Sequence, residues 1–161
     1  MRFCGATLVW VIQACGIAGV VTTAQGNTSA AVVVAQREQT TVWDGVFTDA
    51  QAKRGKTGYV IACGYCHRDD LSGGGGDEPG LAPPALAGSS FLASWRDASV
   101  AELAGTIAAT MPRERPKLDA QAYIDIVSFL LKANGMPAGD WELPLDGERL
   151  KGIRITEKTN R

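Results

Sequence analysis

A chain of 161 residues, 45% hydrophobic and 20% charged, has the length and composition of a single globular domain. Its formal net charge of −1 and pI near 5.8 give no argument for a nucleic-acid partner. Nineteen glycines and seven prolines, clustered rather than scattered, point to long turns around a small core.

The chain opens as a secretory signal. Arg2 supplies positive charge, Ala6 to Val21 is apolar apart from Thr7 and Gln13, and Thr22-Thr23-Ala24 offers small residues ahead of Gln25. Residues 1–24 are therefore expected to be a signal peptide. The alternative is an uncleaved anchor, since Ala6 to Ala24 just reaches spanning length. A lipid-modified Cys15 fits less well, because Gln13 is out of place there and the apolar run continues past it. Cleavage would remove Cys4 and Cys15, leaving Cys63 and Cys66 beside His67, the sole histidine of the chain.

Residues 25–41 lack any helical period and read as a flexible spacer, with order expected from Val42-Trp43 onward. Thr48 or Asp49 is placed to cap a helix through Ala50, Gly55, Tyr59 and Ile61 that ends at Cys63-Gly64. Asp69 to Gly80 is a turn-rich loop, because Gly73 to Gly76 cannot hold a regular element. No strand precedes these glycines and no Gly-Lys-Ser/Thr follows them, so they do not form a phosphate cradle. The prolines of Leu81 to Gly88 (LAPPALAG) favour extended backbone. Three helices follow: Ser89 to Trp95; Val100 to Thr110, capped by Ser99; and Ala120 to Ala133, capped by Asp119 and closed by Gly135. The last carries Tyr123, Ile124, Ile126, Val127, Leu130 and Leu131 at helical spacing. The tail is polar and turn-rich. The pattern is all-α, with short helices strung on loops.

The run CGYCH, Cys63 to His67, has four possible chemistries. A thioredoxin-like redox pair starts a helix within a βαβ unit, whereas this pair ends a helix with no strands around it. Structural zinc needs four ligands, and the mature chain offers three. A disulfide across two residues closes a very short loop and adds little stability. CxxCH is the signature of covalent c-type haem attachment: two thiols add to the vinyl groups of one porphyrin, and the histidine after them ligates the iron. Export agrees with this, since attachment in bacteria takes place outside the cytoplasmic membrane. The expectation is one haem c, held by Cys63 and Cys66 with His67 as proximal ligand. With no second histidine, the sixth ligand is Met111 or Met136. Met111 follows His67 by 44 residues on an inter-helix loop stiffened by Pro112, and it is preferred. Met136 has an apolar capping contact as its plain reading. The alternatives for Met111 are an ordinary core methionine or an iron left five-coordinate.

Gly55, Tyr59, Cys63, Cys66 and His67 in the order G-x-x-x-Y-x-x-x-C-x-x-C-H, then PALAG (84–88), TMP (110–112) and YxDIVxFLLKANG (123–135), resemble the class I c-type cytochromes. The run is most similar to the cytochrome domain of quinohaemoprotein alcohol dehydrogenases, over about Val42 to Pro137. The resemblance implies a small all-α cytochrome c fold, short helices and loops wrapped around one covalent haem. It implies a cytochrome c domain at 42–137 and a C-terminal extension at 138–161. Pro84 matches the proline whose carbonyl accepts a hydrogen bond from the axial histidine. Gly55 and Tyr59 match the first-helix positions that cross the last helix, with Tyr123, Val127 and Leu130 as their expected partners. Trp95 and Arg96 fall where such proteins contact the haem or its propionates, with simple core packing as the alternative for Trp95. The four-glycine loop and the tail depart from the pattern.

The function implied is one-electron transfer by an exported, periplasmic cytochrome, with no catalytic residues. Its expected partners are redox proteins, a dehydrogenase or a terminal oxidase, with membrane contact only if the N-terminal segment stays uncleaved. A haem-based sensor or gas-binding protein is the alternative, as is a membrane-tethered cytochrome subunit. The basic group Arg113, Arg115, Lys117 and the acidic group Asp69, Asp70, Asp77, Glu78 are candidate steering surfaces, or simply solvated loop charges.

Overall fold

The computed structural model describes residues 39–74, 82–113 and 117–158. The expected signal peptide and nearly all of the spacer lie outside the described residues, as do Gly75, Gly76, Asp77, Glu78 and Arg115. The elements in chain order are α1 (Asp49–Ala62), α2 (Gly64–His67), α3 (Ser89–Trp95), α4 (Val100–Thr110), α5 (Ala120–Ala133) and α6 (Gly147–Lys151). Among the described residues the only extended pairing is a pair of isolated bridges, from Arg154 to Thr41 and to Ser99. The described residues form short helices strung on loops, the all-α pattern that the periodicity implied.

Local chemistry sets the helix ends. Thr48 accepts from the Gln51 amide at the head of α1, and Asp119 accepts from the Ala122 amide at the head of α5. Ser99 and Glu102 form a reciprocal capping box on α4, whose bonds also hold the Glu102 carboxyl below its ordinary pKa. At the end of α5 the Gly135 amide donates to Lys132 and the Met136 amide to Leu131, with Gly135 at φ +84°. This is the Schellman arrangement, and it turns Met136 back into the core, where it is buried.

The centre of the molecule is the crossing of α1 and α5. A Cβ on Gly55 would lie 1.8 Å from the Asp125 carbonyl oxygen, so only glycine permits this approach. The Tyr59 and Phe129 rings pack with centroids 5.2 Å apart. Asp125 and Ile126 of α5 lie against Gly55 and Phe129 against Tyr59, beside the expected Val127 and Leu130, which are buried in the same core. Asp125 and Phe129 share a face through their i, i+4 spacing, while the Tyr123 hydroxyl turns away to the Met111 carbonyl at 2.8 Å. Arg54 bridges the same crossing. Its guanidinium donates to both oxygens of Asp125, at 2.8 and 3.1 Å, and to both oxygens of Glu142, at 2.9 Å each.

The C-terminal segment packs into this core. Leu143, Leu150, Ile153 and Ile155 are buried. The Arg154 amide donates to the Thr40 carbonyl and the Val42 amide to the Arg154 carbonyl, while Ile155 and Ala98 join on the other side. Gln51, fully buried on α1, exchanges two hydrogen bonds with the Leu143 backbone. Arg96, one of two residues expected near the haem, pairs with Glu157 of this segment at 2.6 Å. Among the described residues no helix is long and apolar enough to cross a membrane.

Candidate functional site

The site begins where α1 runs out. Cys63 caps α1, its amide donating to the Tyr59 carbonyl at 2.7 Å, and one further helical turn, α2, follows. The amides of Cys66 and His67 both donate to the Cys63 carbonyl, at 3.2 and 2.9 Å. Positions i, i+3 and i+4 of a turn share one side, so both thiols and the imidazole project the same way. This is the physical content of the CxxCH spacing. Cys63 is half-buried and Cys66 exposed, and no disulfide joins them. Among the described residues no three His, Cys, Asp or Glu side chains converge as a structural zinc ion requires.

His67 is buried, 6% exposed, and its Nδ1 lies 3.0 Å from the Pro84 carbonyl oxygen. A carbonyl only accepts, so Nδ1 carries the proton and donates. The neutral ring then keeps its lone pair on Nε2, directed away from the protein partner. A pair of thiols and one imidazole with a ready Nε2 on the same side of a turn is the donor set that covalent haem demands.

Pro84 is held in place from two sides. On one side the Leu86 amide donates to the Leu71 carbonyl and the Gly74 amide to the Pro83 carbonyl, both at 2.8 Å. On the other, Asn134 at the end of α5 donates to the Leu86 carbonyl and accepts from the Gly88 amide. The return from His67 is tight: Arg68 sits at φ 61°, ψ 156°, and its carbonyl accepts the Tyr59 hydroxyl at 2.7 Å. Burial pushes the Tyr59 hydroxyl's pKa up and keeps it a neutral donor. Asp70 caps the same turn by accepting from Ser72, whose hydrogen bonds hold its carboxyl below the ordinary value.

Met111 arrives by a separate route. It caps α4, its amide donating to the Ile107 carbonyl, and its own carbonyl accepts from the Tyr123 hydroxyl and from Lys117 Nζ. Its residue is half-buried, between a helix end and Pro112, which is joined through a cis peptide bond. One turn and one hydrogen bond thus bring Cys63, Cys66, His67 and Pro84 together, whereas Met111 is fixed by its backbone to α4 and α5. Lys117, of the basic group that was either a candidate steering surface or solvated loop charge, donates its ammonium to the Ala109 and Met111 carbonyls.

The Tyr59 hydroxyl and Asn134 act through bonds that form only when separate segments meet, and sequence alone does not mark them for these roles. The one local signal was the KANG run closing α5, which read simply as a helix end.

Residues 50–130 match the family model described as cytochrome C oxidase, cbb3-type, subunit III. No curated protein and no solved structure matches the chain.

Proposed function

The chain belongs to the family described as cytochrome c oxidase, cbb3-type, subunit III, and from that premise we propose that it is an exported, mono-haem c-type cytochrome carrying single electrons between redox partners. It is a c-type cytochrome domain, and such domains hold haem c covalently. The observation that carries the reading is the bond from His67 Nδ1 to the Pro84 carbonyl at 3.0 Å, one turn beyond two cysteines that no disulfide joins. Cys63 and Cys66 supply the thioether links, and His67 binds through Nε2. Bound haem c supplies a one-electron iron couple. Pro84 orients the His67 ring and raises its donor strength through Nδ1.

Met111 would be the second protein ligand. The Schellman turn that buries Met136 at 2% exposure against the end of α5 supports Met111 over it. With His67 and Met111 both engaged, no coordination position would remain for a substrate. With the only histidine committed, the chain has no histidine left to act as a general base. Electron transfer is what these residues can do.

The family description names an oxidase subunit, which favours a terminal oxidase over a dehydrogenase as partner and keeps the tethered-subunit reading as the second. The protein works in the periplasm, free if residues 1–24 are cleaved and membrane-held if they are retained.

Expression together with cytochrome maturation machinery tests the reading. The purified protein is expected to carry one covalent haem and, oxidised, the weak near-infrared band of sulfur-to-iron charge transfer. Met111→Ala abolishes that band and Met136→Ala leaves it; the reverse result reassigns the ligand. Rapid carbon monoxide binding by the reduced wild-type protein would overturn the electron-carrier reading in favour of a gas-binding one.

A further inference from the structure

Gly73 opens the four-glycine run, the feature that departs from the family pattern. It stands at φ +72°, and a Cβ there would lie 2.4 Å from the Pro83 oxygen, 2.6 Å from the Pro84 carbonyl carbon and 2.7 Å from the Ala85 nitrogen. All three are backbone atoms and cannot swing aside as a side-chain end would. The Pro84 carbon belongs to the same carbonyl group that accepts the His67 proton. Around this contact the loop is laced to both partners. The Gly73 amide donates to the His67 carbonyl at 3.1 Å, the Gly74 amide to Pro83, and the Leu86 amide to Leu71. Arg68 closes the loop by donating to the Gly74 carbonyl at 3.2 Å.

We propose that Gly73 is a positioning residue for the iron ligand: its bare Cα lets the loop after His67 lie flat on the Pro83–Ala85 backbone, and this seats the Pro84 carbonyl on His67 Nδ1. The proposal rests on the reading of His67 as the proximal ligand. A side chain at 73 pushes the Pro84 carbonyl away from the ring and weakens the Nδ1–H bond. The imidazole is then a poorer donor at Nε2, which disfavours the more highly charged oxidised iron. The reduction potential rises.

Gly135 supplies the control. It too stands at a positive φ, +84°, yet a Cβ there meets nothing within 4 Å. Alanine at either position carries a left-handed conformational cost, and only alanine at 73 strikes the Pro84 carbonyl.

The test compares wild-type, Gly73→Ala and Gly135→Ala holoproteins by equilibrium redox titration and by exchange of the His67 Nδ1 proton in the reduced state. Gly73→Ala is expected to show a more positive potential and proton exchange about tenfold faster, as for one weakened hydrogen bond. Gly135→Ala is expected to match wild type in both while losing thermal stability. Equal shifts in the two variants, or none in Gly73→Ala, overturn the proposal. If Gly73→Ala yields no folded holoprotein, exchange in the wild type decides. A protection factor shared by the Nδ1 proton and the Gly73 and Gly74 amides supports a single clamp; an Nδ1 proton that stays protected while those amides exchange freely overturns it. Wild-type protein that matures without covalent haem sinks the haem reading itself, and this proposal with it.

Discussion

At the scale of single residues, the Tyr59 hydroxyl carries a contact out of proportion to its size. Arg68, whose carbonyl it meets at 2.7 Å, occupies φ 61°, ψ 156°, where a residue with a Cβ is strained by about 1–3 kcal/mol. The hydroxyl fixes the far side of that strained peptide next to His67. Tyr59→Phe keeps the ring packed on Phe129 and leaves the Arg68 carbonyl without this partner, so the folded state should lose about 1–2 kcal/mol. A lowered denaturant midpoint at unchanged slope checks this, and an unchanged midpoint counts against the contact. Tyr59 was legible in the sequence as a core position on the first helix. Its hydroxyl bond was not, because that bond spans nine residues and exists only once α1 has ended and the chain has turned back.

Between elements, the α1–α5 crossing is governed by a glycine and an ion pair whose carboxylate is buried and whose guanidinium is half-exposed. Gly55→Ala would place a methyl carbon 1.8 Å from the Asp125 carbonyl oxygen, and forcing the helices apart should cost at least about 3 kcal/mol. Thermal melting of the holoprotein reads this directly. Asp125, 8% exposed in its side chain, answers to pH. Burial raises its pKa, but the bonds from Arg54 and Gln121 outweigh burial, and the net direction is below the ordinary 3.8. In the acid range the unfolded chain therefore binds this proton more readily than the native state, and stability rises with pH. The contribution is complete above the unfolded value near 3.8 and is lost as pH falls through the lower folded value. Melting temperatures measured from neutral pH down to about pH 2 should fall steeply below about pH 4. In Asp125→Asn that acid limb should flatten, and an identical limb in the variant would exclude the ion pair as its source. The sequence marked Gly55 and the apolar stripe of α5. It did not single out Asp125, Ile126 and Phe129 as partners of Gly55 and Tyr59, because a wide stripe has several positions that can meet a neighbour.

For the molecule as a whole, the segment after Pro137 is structural. Leu143, Leu150, Ile153 and Ile155 are all buried, and at about 2 kcal/mol for each buried aliphatic side chain their loss approaches the 5–15 kcal/mol that typically separates native from unfolded states. A chain ending at Pro137 should therefore show no cooperative melting transition, whereas Trp141→Ala, at 79% exposure, should melt as wild type does. A truncated chain that melts cooperatively near the wild-type temperature would show the segment to be dispensable. Composition concealed this role, since its apolar residues are spaced among charges and prolines and only become a face when the segment meets Val42, Ala98 and α1. The sequence by itself determined α1, α3, α4 and α5, the caps of α1, α4 and α5, and the spacing of two thiols and an imidazole, because capping, periodicity and i, i+3, i+4 spacing are local properties. Tertiary structure alone decided that Met136 is buried at the end of α5 and that the tail, with its helix α6, completes the core. Each of these depends on where distant backbone segments come to rest, and no pattern within a short window of residues encodes that.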